Sequence, residues 1–202
     1  MDGNGAHVET ASLLARFGVL DGAKAERHEW KQMCSMKVLI RREFIVDVPV
    51  ERAWEHLARV EAWPSWAKHI QSVTLEPPGR IAPSTVGVFH LANPVRSGWP
   101  GPKARFAMTE FAPKSNWKWV AKFLWLTVHY DHRFEPINEA RTKIQFIIGA
   151  TGFGKSVIGK LFAAIYAKNL DKAIPNLIAE MQSTDHDTTT HQGPGRDRPA
   201  GP

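Results

Sequence analysis

Six extended apolar runs follow one another between Ser72 and Ala150, and no segment between them is long enough to form a crossover helix. Short turn signals separate the runs, such as the PPG at 77–79 and the APKS at 112–115. Parallel neighbours need a connection of about a dozen residues or more, so this pattern predicts strands that pair antiparallel with their neighbours in sequence. The predicted strands are 72–76, 86–91, 104–111, 116–125, 127–136 and 142–150.

One more strand precedes this series. Ile40, Phe44, Val46 and Val48 are apolar and alternate along one face, which Arg42 shares, and Pro49 ends the strand. Residues 50–59 have helical spacing, and the interrupted segment 61–70 favours a second short helical piece. A long closing helix is predicted from 154 to 181, where Pro175 is expected to bend or break it. Its core stripe is predicted to be Ile158, Leu161, Phe162, Ile165, Leu170, Ile174, Leu177 and Met181.

This order of elements predicts an α+β fold with seven strands, two short helices after the first strand and one long C-terminal helix. All the predicted strands and helices lie within residues 36–183, which are therefore predicted to form the folded domain. The leader 1–35 is predicted to be poorly ordered or weakly helical. The tail 184–202 is rich in Pro, Gly and Thr and is predicted to be disordered, because it has almost no apolar residue to bury.

The apolar runs are too short for a transmembrane helix, and the first twenty residues lack the basic start of a signal peptide. A cytoplasmic protein is therefore expected. A lone Cys34 cannot form an internal disulfide, and no Cys/His spacing typical of zinc is present, so no metal site and no cofactor are expected.

Positive charge is concentrated in residues 36–183, which hold 20 basic and 12 acidic residues. The basic residues are scattered singly, which favours a solvated basic face over nucleic-acid binding. Lysines on the closing helix are compatible with a membrane surface, but its apolar stripe is interpreted as core, and no stable membrane insertion is expected.

Residues 149–156 (GATGFGKS) match the phosphate-binding pattern G-x-x-x-x-G-K-[ST] between a strand and a helix. A nucleotidase with that loop needs a parallel sheet and a second strand that ends in an acidic residue for magnesium. Only a helix and a polar tail follow Ser156, so the glycines are interpreted as a sharp turn. Nucleotide binding is kept as a second alternative.

The string FIVDVPVERAWEHLARVEAWPSWAKHIQSVTL at 44–75 resembles the opening of the polyketide cyclase/dehydrase family of the START-like (SRPBCC) superfamily. The segments 108–119 and 132–152 and the closing helix follow in the same order, so the resemblance spans about 36–183. The resemblance implies a helix-grip fold, in which a curved seven-stranded antiparallel sheet wraps around the C-terminal helix and encloses an apolar cavity. It implies no shared catalytic signature, since such families include binders, carriers and enzymes.

Strand parity indicates which side chains face that cavity. Aromatic residues occupy one face of the strand 116–125, while Lys118 and Lys122 face outward. This pattern fits an aromatic-walled pocket and fits equally an ordinary core packed on the long helix. The residues predicted to bind the ligand are Phe44, Val46, Phe106, Met108, Trp117, Trp119, Phe123, Phe134, Phe146, Leu161 and Ile165.

Three polar side chains are the candidates for chemistry. Tyr130 and His132 share the inward face of the strand 127–136, where an imidazole can act as general acid or base near neutral pH. Arg42 shares its strand face with Phe44, where a guanidinium can bind an enolate or carboxylate oxygen. Two structural alternatives stay open, in which His132 is a satisfied core histidine and Arg42 pairs with an inward Glu110.

The predicted function is binding of a small hydrophobic ligand, aromatic, polyketide-like or lipid-like, between the sheet and the closing helix. The alternative is an enzyme, a polyketide cyclase or dehydratase in which Arg42 steadies an enolate while His132 and Tyr130 move protons. The ligand is the expected partner, and nucleic acid is not.

Overall fold

Seven strands and three helical segments make up the part of the chain that the computed structural model describes, residues 36–93, 99–123, 126–152 and 157–183. The leader 1–35, predicted to be poorly ordered or weakly helical, and the tail 184–202, predicted to be disordered, lie outside the described residues. The helical segments are α1 (Val50–Ala58), a 3-10 helix (Val60–Ser65) and α2 (Val157–Ser183). The strands are β1 (Lys37–Val46), β2 (Ile70–Glu76), β3 (Val86–Ala92), β4 (Pro100–Ala112), β5 (Asn116–Phe123), β6 (Leu126–Asn138) and β7 (Arg141–Thr151).

All seven strands form one antiparallel sheet in the order β1-β7-β6-β5-β4-β3-β2. Strands β2 to β7 pair with their neighbours in sequence, as the short connections predicted. Strand β1 pairs with β7 instead, with Val46 opposite Thr142. The first strand therefore forms one edge of the sheet, and β2 forms the other. The α+β plan with seven antiparallel strands is confirmed.

The segment between β1 and β2 covers one end of the concave face. In α1, Trp54 and Leu57 point inward and are buried, as helical spacing predicted. The Trp63 indole N–H donates to the Leu57 carbonyl over 2.9 Å, which ties the 3-10 helix to α1. Together these pieces bury Trp54 and Trp63 against Trp117 and Trp119 of the sheet.

Helix α2 packs on the sheet through a line that differs from the predicted stripe. Phe162, Tyr166, Leu170, Ala173 and Leu177 follow one another at steps of three and four residues and are buried or half-buried. Such steps keep side chains on one side of a helix. The helix also continues through Pro175, so of the predicted bend or break the break does not occur.

Two residues of the predicted stripe lie outside the buried line of α2: Leu161 is opposite to it, and Ile165 is at its edge. Leu161 is 62% exposed and Ile165 is 55% exposed. At 100° per residue, both are rotated away from Leu170 and Leu177, which are buried. Their assignment to the core is therefore wrong, whereas Leu170, Leu177 and Met181 are core residues as predicted. The side chain of Ile158 lies outside the described residues.

A β-bulge in β4 changes the parity of its last residues. Met108 pairs with Trp119, but Glu110 pairs with Lys118, so one extra residue lies between them. Counting alternate residues from Met108 placed Glu110 inward. The bulge turns Glu110 to the outer face, where it binds Lys118 and Asn116.

The phosphate-loop motif falls partly outside the described residues, because 153–156 are not among them. Gly149 belongs to β7, and Gly152 has a φ of +59°, the left-handed conformation that glycine adopts without strain. The described sheet contains no parallel pair, which a nucleotidase of this class requires. Nothing described here favours nucleotide binding.

Candidate functional site

A cavity of about 230 Å³ lies between one half of the sheet and the first half of α2. Strands β2 to β6 form its floor, and α2 forms its roof. Most of the wall is apolar or aromatic. The lining residues are Trp63, His69, Ile70, Phe89, Leu91, Ala92, Pro102, Ala104, Trp119, Ala121, Tyr130, Phe162, Ile165, Tyr166 and Asn169.

The cavity exists because several residues at one end of the concave face are small. At the other end, large aromatic residues fill the same space. Ala92, Ala104 and Ala121 line the hollow part. At the filled end, Trp54 on α1 meets Trp117 edge-on at 4.7 Å between ring centroids, with further rings from Phe111 and Phe134. The same sheet is therefore solid core at one end and open at the other.

Four polar side chains meet at the cavity wall: His69, Tyr130, Tyr166 and Asn169. The Tyr130 ring meets the Tyr166 ring edge-on, with 5.9 Å between centroids, and this contact joins β6 to α2. The His69 ring meets the Tyr166 ring edge-on, with 5.5 Å between centroids. His69 Nε2 is buried and has no hydrogen-bond partner among the described residues, so it is a polar atom that a ligand can satisfy.

These groups are uncharged at neutral pH. Burial lowers the pKa of His69 to about 4, so its imidazole is neutral. Burial raises the pKa of Tyr130 well above its usual value, and it raises that of Tyr166 as well, so both phenols keep their protons. The cluster thus offers hydroxyl donors, an imidazole and an amide. It is suited to a carbonyl or hydroxyl group on an otherwise apolar molecule.

His132, the predicted acid–base residue, lies in the aromatic core beside this cavity and does not line it. Its ring stacks on Trp117 at 5.2 Å and meets Phe146 edge-on at 4.9 Å. It borders a hollow of about 10 Å³, which is too small for an organic ligand. Burial lowers its pKa to about 3. Its Nδ1 has no partner among the described residues, so the satisfied backbone bond that the structural alternative assumed is absent at that atom.

Arg42 also stands away from the cavity. Its guanidinium makes two hydrogen bonds to the Asp171 carboxylate on α2, at 2.6 and 3.1 Å. This contact raises the pKa of Arg42 and lowers that of Asp171. The alternative in which Arg42 pairs with Glu110 does not hold, because the bulge in β4 places Glu110 on the outer face.

Of the residues predicted to bind the ligand, Trp119 and Ile165 line the large cavity, as does the catalytic candidate Tyr130. Phe146 borders the small hollow and does not line the cavity between the sheet and α2, and Leu161 is exposed on α2. The side chain of Phe123 lies outside the described residues. The remaining ones belong to the packed core and do not line the large cavity: Phe44, Val46, Phe106, Met108, Trp117 and Phe134.

His69, Tyr166 and Asn169 were missed by the sequence analysis. The spacing of Phe162, Tyr166 and Asn169 at four and three residues was the available signal for the last two, because it places them on one helix face. His69 lies in the turn before β2, where neither strand nor helix periodicity applies.

A second hollow, on the convex face, is lined largely by charged and polar groups from β4 to β7. Its cations are engaged by neighbouring carboxylates: Lys118 by Glu110, Arg133 by Asp131 and Lys143 by Glu135. Within the described ranges no group of three His, Cys, Asp or Glu side chains is arranged to hold a metal ion. The described helices also include none long and apolar enough to cross a membrane.

Comparison with known proteins places this geometry in context. A family model described as polyketide cyclase/dehydrase and lipid transport matches residues 37–182. The comparison with curated proteins returns no match.

Solved structures with the same architecture include three informative cases. The Zhui aromatase/cyclase from Streptomyces sp. R1128 is 14% identical with a TM-score of 0.58, over 78% of this chain and 99% of that one. The di-domain ARO/CYC StfQ from the steffimycin biosynthetic pathway is 15% identical with a TM-score of 0.58, over 81% and 56%. A START superfamily protein from Mycobacterium smegmatis is 14% identical with a TM-score of 0.55, over 70% and 97%. At these identities the likeness concerns the fold, and it confirms the helix-grip arrangement.

Proposed function

The chain belongs to the polyketide cyclase/dehydrase and lipid transport family, and from that premise we propose that its cavity binds a small, uncharged hydrophobic ligand. The ligand is aromatic, polyketide-like or lipid-like. The observation that carries the proposal is an apolar cavity with one polar cluster, the usual composition of a small-molecule site. Apolar walls supply the affinity, and the cluster at His69 and Tyr166 orients a ligand oxygen.

The absence of charge in the wall supports an uncharged ligand. No lysine, arginine, aspartate or glutamate is among the described residues that line the cavity. A carboxylate or ammonium moved into such a wall loses its hydration without gaining a partner. A neutral ketone, phenol or alcohol loses far less and can bond to the cluster.

The size of the cavity limits the ligand as well. About 230 Å³ lies below the range of roughly 300–1,000 Å³ that is usual for drug-sized molecules. A compact flat molecule therefore fits inside. A longer one extends out of the cavity beside Ile165, a lining residue that is also exposed to solvent.

A matched pair of probes tests this proposal on the full chain. Neutral 1-aminoanthracene is expected to bind saturably with a rise in fluorescence, whereas anthracene-9-carboxylate of similar size is expected to bind at least about tenfold more weakly. Equal binding of the two probes contradicts the uncharged ligand. Failure of both to bind contradicts the ligand site.

A cyclase or dehydratase is the second candidate, and the unpartnered Nε2 of His69 favours it. A neutral imidazole can take a proton from a carbon next to a ketone, and the Tyr130 and Tyr166 hydroxyls can bond to the enol oxygen. This assignment replaces His132 and Arg42, which do not line the cavity, by His69.

Turnover of a poly-β-ketone substrate analogue, followed by absorbance of the aromatic product, separates the enzyme from the binder. If the protein is a cyclase or dehydratase, His69→Gln is expected to form product at least about a hundredfold more slowly, while 1-aminoanthracene still binds. Unchanged turnover in His69→Gln removes the enzyme assignment. No turnover by the wild type leaves the binding function as the better account.

A further inference from the structure

The first half of α2 presents a line of large apolar side chains to solvent. Val157 is 79% exposed, Leu161 is 62% exposed and Ile165 is 55% exposed. Their spacing of four residues places them on one side of the helix. Trp99, at 54%, is the next most exposed large apolar residue of the described chain. We refer to these four residues as the mouth patch.

The mouth patch lies beside the opening of the cavity. Ile165 belongs to both, since it lines the cavity and is half-exposed. Trp99 directly precedes β4, whose Pro100 pairs with Ala92 of the cavity wall. Apolar surface therefore continues from the cavity interior onto the outside of the molecule. Exposed apolar patches of this kind mark binding surfaces.

The charge around the mouth patch is positive. Lys168 and Lys172 are exposed on the same side of α2 as Leu161, and the exposed Lys160 lies about 100° from it around the helix. Asp171, the acidic residue of this helix side, is bound to Arg42. Apolar residues with flanking lysines are the composition of a helix that lies in the interface of a membrane with anionic lipids.

We propose that the mouth patch docks on a membrane surface rich in anionic lipid, so that the cavity opens toward the bilayer. The apolar side chains enter the headgroup boundary, and the lysines contact lipid phosphates. A hydrophobic ligand then passes between bilayer and cavity without crossing water. This last step rests on the proposed ligand-binding function, but the docking does not.

A second copy of the chain fits this surface less well than a membrane. A symmetric dimer brings the same face of two molecules together, so that lysines approach lysines. Such like-charge contacts oppose association, whereas anionic lipid neutralises all of them.

Vesicle flotation of the full chain tests the docking. We expect binding to phosphatidylcholine vesicles that contain phosphatidylglycerol, little binding to phosphatidylcholine alone, and weakening at high salt. Leu161→Asp is expected to reduce vesicle binding at least about tenfold, and Lys168→Gln about fivefold. Ile137→Asp is the matched control, because Ile137 is also exposed, at 46%, but lies near the end of β6.

Equal loss in Leu161→Asp and Ile137→Asp, or no flotation of the wild type, overturns the docking surface. Conversion of a wild-type dimer into a monomer by Leu161→Asp, measured by sedimentation, assigns the patch to a second copy and also overturns it. Binding of 1-aminoanthracene without vesicles distinguishes the two proposals. Leu161→Asp is expected to leave that binding unchanged, since Leu161 does not line the cavity.

Discussion

The ring of Tyr130 on β6 meets the ring of Tyr166 on α2 edge-on, with 5.9 Å between the ring centroids. This contact joins the floor of the cavity to its roof. It also places two phenols next to His69, on a wall that is otherwise almost entirely apolar.

We expect the two hydroxyls to share a hydrogen bond, so that Tyr166→Phe leaves the Tyr130 hydroxyl without its partner. We expect a loss of about 1 kcal/mol in the free energy of unfolding, measured by urea denaturation. Tyr130→Phe is expected to lose a similar amount, and the double variant less than the sum of the two. Additive losses would show that the two hydroxyls do not interact.

His132 makes the protein sensitive to acid. Its pKa falls from 6.5 to about 3 on burial, so the unfolded chain binds a proton between these values and the folded chain does not. Stability therefore falls as the pH drops below 6.5, by about 1.4 kcal/mol per unit for this residue. Burial lowers the pKa of His69 and His129 too, which adds to the loss.

His132→Phe keeps a ring among the tryptophans. Between pH 7 and pH 5, we predict that its free energy of unfolding falls by about 2 kcal/mol less than that of the wild type. Urea denaturation at both pH values measures this difference. Identical pH dependence of the two proteins contradicts a neutral, buried His132. Binding of 1-aminoanthracene is expected to persist in the variant, because His132 does not line the large cavity.

The Arg42–Asp171 pair ties β1 to α2 at the surface, where its side chains are 34% and 55% exposed. Arg42→Gln is expected to lower the melting temperature slightly at low salt and by less at high salt, because exposed ion pairs are screened. It is expected to leave 1-aminoanthracene binding unchanged. A large loss of 1-aminoanthracene binding with no loss of stability would show that Arg42 takes part in ligand binding.

The sheet could be predicted from the sequence because its information is local. Short turns between consecutive strands require antiparallel neighbours, and parity along β6 placed Val128, His132 and Phe134 inward, where all three are buried. Parity failed where an extra residue entered β4, since a bulge at Thr109 has no signature in the alternation that it interrupts.

The cavity could not be predicted in the same way, because it depends on which large residues are missing. Strand parity predicts inward-facing aromatic residues as cavity wall, but Trp117 and Phe134 pack against Trp54 from α1 and fill that end. The hollow end results from alanines such as Ala104 and Ala121. Only the packing of α1 and α2 on the sheet decides which end is filled.

The most direct test of the account is to fill the cavity. Ala104→Leu places a larger side chain on the cavity wall, whereas Ala179→Leu adds the same atoms at an exposed position of α2. Titration with 1-aminoanthracene is predicted to show at least about tenfold weaker binding for Ala104→Leu and wild-type binding for Ala179→Leu, with both variants folded by circular dichroism. Wild-type affinity in a folded Ala104→Leu would contradict the account, because the probe would then bind somewhere other than this cavity.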